Sequence, residues 1–168
     1  MPCYTGPKKG KAAEFKKQLD EQMAAINNMT VDEMAAAFSR IDAAGGTDKI
    51  RNSIAQANHR KAFENYLKRQ KLSASDIAKK MKNLDATHVL DMMVGGDPNA
   101  FSHDKHGNPV LDDSNANRSI GSQWVSTKDK NGMSRVDYLR DEVKKIQKNG
   151  LHNEKMNIEL GRCKHDYD

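Results

Sequence analysis

Apolar residues that recur every three or four positions dominate the first 95 residues, and this periodicity restricts the chain to a mainly helical fold. In the first segment, Phe15, Leu19 and Met23 share one face and lysines occupy the other. Capping residues and glycines separate the segments. They predict helices from Lys8 to about Ile26, from the Thr30 capping box to Ile41, from Thr47 or Asp48 to about Lys71, from Ser73 or Ser75 to Lys82, and from about Ala86 to Val94.

The pattern changes after Gly95-Gly96. Gly, Pro, Asn and Asp interrupt residues 97–117, which predicts a long loop, and the turn that contains Gly107 favours a small β-hairpin within it. Residues 119–126 are compatible with a short strand or a helical turn, and Ser134 begins a last helix that ends at Asn149-Gly150. We therefore expect one compact helical domain over residues 1–168, with 1–7 and 151–168 at its periphery.

Two features exclude membrane and disulfide-rich classes. No apolar run approaches the roughly 18 residues needed to cross a bilayer, and the N-terminus lacks the apolar core of a signal peptide, so a soluble chain without membrane insertion is expected. Cys3 and Cys163 lie near opposite ends without Cys-x-x-Cys spacing. We expect two unrelated thiols, because neither a zinc knuckle nor a disulfide framework is indicated.

The net charge of +5 is distributed unevenly. Between Asp85 and Asp113 there are six aspartates and only one basic residue, Lys105, so the rest of the chain is strongly basic. Lysines and arginines attract a phosphate backbone, while carboxylates hold a cation, so this distribution suits a metal-dependent nuclease. Ordinary solvated surface charge is the alternative.

His88 and Asp91 are the candidate catalytic residues. If residues 86–94 form a helix, Asp85, His88 and Asp91 follow one another at i+3 spacing on one face. A histidine with a near-neutral pKa can take a proton from water, and a carboxylate one turn away can orient the imidazole or ligate a divalent cation. The polar face of a surface helix would show the same spacing. Asp97 adds a nearby carboxylate, although bracing the turn before Pro98 is its commoner role.

Three sequence blocks resemble the novel toxin family fifteen. His88-Val89-Leu90-Asp91 with Gly95-Gly96-Asp97 is similar to the family's His-x-x-Asp motif followed by Gly-Gly-Asp, although Val89-Leu90 replaces a frequent Asn-Pro. The block 117–124 is close to the family's Asn-Ser-Ser-Ile-Gly-Ser-Gln-Trp, with Arg118 where Ser is common. A looser block from Gln22 to Glu33, with Arg40 and Arg60 beyond it, is similar to the N-terminal portion.

The family consists of polymorphic-toxin nuclease domains that include DNase effectors of type VI secretion. The resemblance implies an antibacterial toxin that hydrolyses DNA with a divalent cation, Mg²⁺ or Mn²⁺. His88 would be the general base and Asp91 the metal ligand or orienting group, with Asp85 and Asp97 as further ligands. Such a toxin is made in the bacterial cytoplasm, is secreted with an adaptor or chaperone, acts in the target-cell cytoplasm and is blocked by a cognate immunity protein.

Several residues are candidates for substrate binding: Arg40, Arg60, Arg118, Ser119, Ser122, Gln123 and Trp124. Helix-to-helix salt bridges are the alternative for Arg40 and Arg60, and a core anchor is the alternative for Trp124. His59, His103 and His106 are expected to have turn or surface roles. Two other functions remain open, an RNase toxin and a basic helical module that binds nucleic acid or protein without cutting it.

Overall fold

Six helices and one two-stranded sheet form the fold of this computed structural model, which describes residues 1–6 and 11–164. The elements are α1 (Ala12–Asn27), α2 (Val31–Ala44), α3 (Ser53–Arg69), α4 (Ala74–Met81), β1 (Leu84–Asp85), β2 (Asp112–Asp113), α5 (Ser114–Val125) and α6 (Arg135–Lys148). This order confirms a mainly helical domain. No helix in the described ranges is long and apolar enough to cross a membrane.

Local capping signals set most of the helix ends. At α2, the Thr30 side chain accepts from the Glu33 amide at 3.1 Å, and the Glu33 carboxylate accepts from the Thr30 amide at 2.9 Å, as the capping box predicts. The predicted start of α3 is wrong, because Asn52 caps the helix and residues 47–49 form a separate 3₁₀ turn. The predicted start of α1 at residues 8–10 lies outside the described residues.

The core lies where α1 packs against α5 and α2 packs against α6. Its largest buried side chains include Phe15 of α1, Met34 of α2, Trp124 of α5 and Leu139 of α6. Burial of this apolar surface is the main stabilising contribution, at about 25 cal/mol per Å². Gln22 of α1 and Asn117, Arg118 and Gly121 of α5 line a cleft beside the core.

Residues 86–94 do not form the predicted helix. β1 pairs with β2 in an antiparallel register, with Leu84 opposite Asp113, and His88 forms an isolated bridge with Phe101. Only residues 92–94 wind into a 3₁₀ turn, which the Asp91 side chain caps. A nine-residue helix is marginal by itself, and here backbone pairing with the following loop competes with it successfully.

The loop that follows contains the expected hairpin. His103 pairs with Pro109, and Gly107 takes a positive φ of 80° at the turn. The Asp104 carboxylate accepts from the amides of His106 and Asn108, which closes this turn. Residues 119–125, where the sequence left strand and helix open, belong to α5, which Asp113 caps. The helix begins at Ser114, so the predicted loop ends earlier than residue 117.

The two cysteines form a disulfide, Cys3–Cys163, so the expectation of unrelated thiols is wrong. The spacing of 160 residues hides the pairing, because only the folded chain brings its ends together. Arg135, only 1% exposed, donates to the carbonyls of Pro2, Cys3 and Gln123. The N-terminal segment is thereby fixed to the domain.

The terminal segments belong to the domain core and are not peripheral where the structure describes them. Tyr4, Met156 and Leu160 are buried in the main cluster, and the Met156 amide donates to the Met29 carbonyl at 2.9 Å. Polar residues dominate residues 151–164, so sequence periodicity did not reveal these anchors. Residues 7 and 165–168 lie outside the described residues.

Candidate active site

A cleft of about 370 Å³ brings the predicted catalytic pair together. α1, α5 and the irregular segment 85–93 contribute its walls, and residues before α3 close one side. Its polar and charged lining comprises Gln22, Arg51, Gln56, Asp85, His88, Asp91, Asn117 and Arg118. His88 and Asp91 therefore face one space, although no helix presents them.

Stacking and backbone pairing hold His88. Its ring lies 4.7 Å from the Phe101 ring, centroid to centroid, and the neighbouring Val89 amide donates to the Ala100 carbonyl. Burial and the charge of Arg51 lower the pKa of His88, and a hydrogen bond with the Pro98 backbone and the charge of Asp97 oppose this less strongly. Nε2 is buried without a hydrogen-bond partner in the described ranges. The imidazole is therefore neutral at pH 7.

Phe101 is itself supported from a second side by His59. Their ring centroids are 5.1 Å apart, and His59 Nε2 lies 3.0 Å from the Val110 carbonyl oxygen. His59 is buried, so the expected surface role is wrong for this histidine. The His59 ring therefore helps to fix the orientation of the Phe101 ring, against which the His88 ring packs.

Asp91 is a half-buried carboxylate with few hydrogen bonds. Its Oδ1 accepts from the Met93 amide at 2.8 Å, and its backbone amide donates to Gln22 Oε1 at 3.0 Å. Burial raises the pKa of this carboxyl, while the Met93 amide and Arg51 lower it less strongly. Nothing in the described part of the chain hydrogen-bonds Asp91 to His88, which favours cation binding over an orienting role.

Gly121 makes room for the Asp91 carboxylate. A Cβ at this position would lie 2.9 Å from Asp91 Oδ2, closer than real Cβ contacts allow. Glycine inside a helix costs roughly 0.5–1 kcal/mol relative to alanine, so its presence in α5 marks a close approach. Gly121 is visible in the sequence within the block 117–124, but the sequence does not indicate which side chain packs against it.

Arg51 is the main site residue that sequence reasoning missed. It precedes α3 and lines the cleft, and its side chain makes no hydrogen bond or ion pair within residues 1–6 and 11–164, although its backbone amide donates to the Thr47 carbonyl. Its charge affects the pKa values of both His88 and Asp91. No motif singles it out, because only the tertiary fold brings it opposite this pair.

Asp85 lines the cleft but is already paired. Arg118 donates to both of its carboxylate oxygens, through Nε at 3.1 Å and Nη2 at 3.0 Å. Burial by itself would raise the pKa of Asp85, but hydrogen bonds from Arg118, Ser114 and Asn117 outweigh it and hold the pKa below its usual value. Asp85 is consequently less available to a cation than Asp91.

The three predicted metal ligands are not assembled. Asp97 is exposed and accepts from the Asn99 amide at 2.8 Å, so it braces the turn and does not line the cleft. Within the described ranges, no three His, Cys, Asp or Glu side chains are grouped to hold a metal. The donors that remain, Asp91 and secondarily Asp85, fit a cation such as Mg²⁺, which keeps several waters and uses one or two carboxylates plus substrate phosphate.

Most of the six aspartates between Asp85 and Asp113 have structural roles. Asp112 pairs with Lys17 at 3.0 Å, and Asp113 pairs with Lys11. Asp112 also accepts from the Thr87 hydroxyl. Most of the aspartates in this stretch are therefore explained by these pairs and turns, and among the described residues they do not form a cluster of metal ligands around Asp91.

Of the predicted substrate-binding residues, only Arg118 lines the cleft. Trp124 is fully buried and contacts Tyr4 edge-on at 5.6 Å, so it is a core anchor and the base-stacking role is wrong. Gln123 is also buried, and it bonds the backbone of Thr5 and the Ser119 hydroxyl. Ser122 donates to the Ser119 carbonyl.

The two upstream arginines lie apart from the catalytic pair. Arg40 is exposed on α2 and does not line the cleft. Arg60 donates to the carbonyls of Leu84 at 2.7 Å and Met81 at 3.1 Å, which joins α3 to the end of α4 and to β1. Within the described part of the chain, neither forms the helix-to-helix salt bridge that was the alternative.

A family model described as Novel toxin 15 matches residues 9–161. The match covers every element that builds the cleft, including both blocks at 88–97 and 117–124. No curated protein matches the chain when their sequences are compared.

Proposed function

The chain belongs to the Novel toxin 15 family, and on that premise we propose that it is an antibacterial toxin that hydrolyses DNA phosphodiester bonds with a divalent cation. One observation carries the proposal. A single cleft combines a neutral histidine, a half-buried carboxylate and an arginine whose side chain has no hydrogen bond or ion pair in the described chain. Phosphodiester hydrolysis can use these three groups, as proton acceptor, cation ligand and anion binder.

His88 is the general base. Its lowered pKa keeps the imidazole unprotonated at pH 7, so it can take the proton of a water as that water's oxygen bonds to phosphorus. Nε2 has no protein partner among the described residues and keeps its lone pair, but this atom is also shielded from solvent. General-base action at Nε2 therefore requires that the substrate-bound site admit a water beside the ring. The Phe101 stack limits rotation of the ring, which preserves its orientation towards the cleft.

Asp91 holds the cation and Arg51 binds the phosphate. Among the described residues, the half-buried Asp91 carboxylate has no paired cationic side chain, so a divalent ion would relieve an uncompensated negative charge. Mg²⁺ or Mn²⁺, when bound there, supplies positive charge beside the phosphate oxygens. The Arg51 guanidinium can donate two parallel hydrogen bonds to nonbridging oxygens, which also neutralises charge in the transition state.

The charge distribution and the disulfide support the remaining features of the proposal. A net charge of +5 attracts polynucleotides, and Arg51 and Arg118 at the cleft suit an immunity protein that covers it with an acidic surface. A disulfide forms in oxidising compartments, which fits export out of the bacterial cytoplasm. Delivery with an adaptor or chaperone and action in the target-cell cytoplasm are parts of the proposal that the disulfide does not support.

The test is cleavage of supercoiled plasmid and of total RNA by the purified protein, with Mg²⁺, Mn²⁺ or a chelator. We expect cation-dependent plasmid cleavage that falls by about 10²–10⁴ in His88→Ala and is also lost in Asp91→Asn. Arg40→Ala is a matched control for Arg51→Ala, because Arg40 is an exposed arginine outside the cleft. RNA-only cleavage that resists the chelator, or full activity in His88→Ala, would overturn the proposal.

A further inference from the structure

A second cleft of about 390 Å³ adjoins the first. The two share Asp85 and Arg118, whose ion pair forms the partition between them. Beyond this pair, the second cleft is lined by the end of α4, the turn before β1 and the first residues of α5. It lies outside the catalytic pair, since neither His88 nor Asp91 lines it.

We propose that this second cleft binds a phosphodiester that flanks the scissile one, so that the nucleic acid strand passes over the Asp85–Arg118 pair. The inference rests on the proposed function for the identity of the strand. It adds a binding subsite and a direction for the substrate, from the cleft at His88 towards the end of α4.

The charges in the second cleft favour an anion. Arg60, Lys82 and Arg118 line it, and Asp85 is the one carboxylate among its lining residues. Since Asp85 already accepts two hydrogen bonds from Arg118, two positive charges remain without a counter-charge in the lining. The Lys82 side chain is exposed and forms no ion pair within residues 1–6 and 11–164.

The two arginines are fixed in place with donors to spare. Arg118 uses Nε and Nη2 on Asp85, which leaves Nη1 for a ligand. Arg60 uses one bond from each terminal nitrogen on the Leu84 and Met81 carbonyls, so the remaining hydrogens of this guanidinium stay available. Because these bonds already order the side chains, less conformational entropy is lost when a phosphate binds.

Binding of a fluorescent DNA duplex to the His88→Ala protein, measured by anisotropy at several salt concentrations, tests the subsite without cleavage. Lys82→Ala in this background should raise the Kd about fivefold and reduce the salt slope by about 1. Lys79→Ala is the matched control, because Lys79 is an exposed lysine two residues before the end of α4 that lines neither cleft. It should change the Kd less than twofold.

Equal effects of the two substitutions would overturn the subsite, and so would a protein that does not bind the duplex. Circular dichroism of both variants checks that the fold is intact. Failure of this inference is distinct from failure of the proposed function. If the wild-type protein cleaves plasmid and Lys82→Ala binds the duplex normally, only the subsite in the second cleft is refuted. If duplex binding depends on Lys82 but the wild-type protein cleaves no nucleic acid, the subsite is supported and the proposed nuclease activity is refuted.

Discussion

Gly121→Ala separates the geometry of the site from the stability of the fold. The new Cβ would lie 2.9 Å from Asp91 Oδ2, whereas ordinary contact begins at 3.4 Å, so the carboxylate must move by about 0.5 Å. The atom displaced is the end of a side chain and not backbone. The substitution should therefore change the position of Asp91 while α5 stays in place.

The expected change in the free energy of unfolding is small. Alanine inside a helix is worth about 0.5–1 kcal/mol over glycine. Weakening the bond from the Met93 amide to Asp91 Oδ1 costs about 1 kcal/mol. The two terms nearly cancel. Catalysis is more sensitive, since misplacing a reacting group by about 1 Å costs about 10²-fold, so we expect a loss of roughly tenfold to a hundredfold.

Plasmid cleavage rates and urea unfolding curves of the same preparations measure both effects. Gly161→Ala is the matched control, because its Cβ would meet nothing within 4 Å and its φ is not positive. This control should keep full activity. If Gly121→Ala were as active as wild type, the position of the Asp91 carboxylate would not matter and its catalytic assignment would be refuted.

Three further predictions concern the disulfide, the pH profile and the buried arginine. Reduction of Cys3–Cys163 should lower the free energy of unfolding by about 2–5 kcal/mol in urea titrations with and without dithiothreitol; a protein indifferent to reductant would contradict the bridge. The acid limb of the pH profile of kcat/KM should lie below pH 6.5, because the pKa of His88 is lowered. Arg51→Ala should move this limb to higher pH, since Arg51 lowers the pKa values of His88 and Asp91. A limb at the same pH in Arg51→Ala would contradict this coupling. Arg135→Ala should cost about 3 kcal/mol in urea unfolding, because it leaves three carbonyls without their donor; a loss below 1 kcal/mol would contradict the role assigned to Arg135.

Helices whose signals are local could be predicted from the sequence. The capping boxes at Thr30 and Ser134 place the starts of α2 and α6, because donor and acceptor lie within three residues of each other. The hairpin around Gly107 also follows from local turn chemistry. In each case the interacting groups are close in sequence, so no knowledge of the tertiary fold is needed.

The segment 86–94 could not be predicted correctly, because distant residues decide its conformation. His88 pairs with Phe101, and the Asp91 amide donates to Gln22 on α1. Three-residue spacing nevertheless singled out His88 and Asp91, and both line the cleft. Ionisable residue types marked the site even though the element assigned to them was wrong.

Residues that reach the site through long-range packing could not be predicted from any local sequence pattern. Arg51 resembles any surface arginine until α3 is placed beside the cleft, and Asp97 resembles a ligand until the turn at Asn99 uses it. Trp124 illustrates the opposite case. Its position in a distinctive block suggested substrate contact, whereas the scarcity of aromatic residues, 5% of the chain, correctly indicated a core position.

A crystal structure of the His88→Ala protein with a DNA duplex and Mn²⁺ would test the central claim most directly. Anomalous scattering locates the Mn²⁺ ion without reference to the expected ligands. The account predicts an ion in contact with the Asp91 carboxylate and a phosphate oxygen, with Arg51 on the same phosphate. A phosphate and an ion bound elsewhere, with the cleft at His88 and Asp91 holding only water, would contradict it.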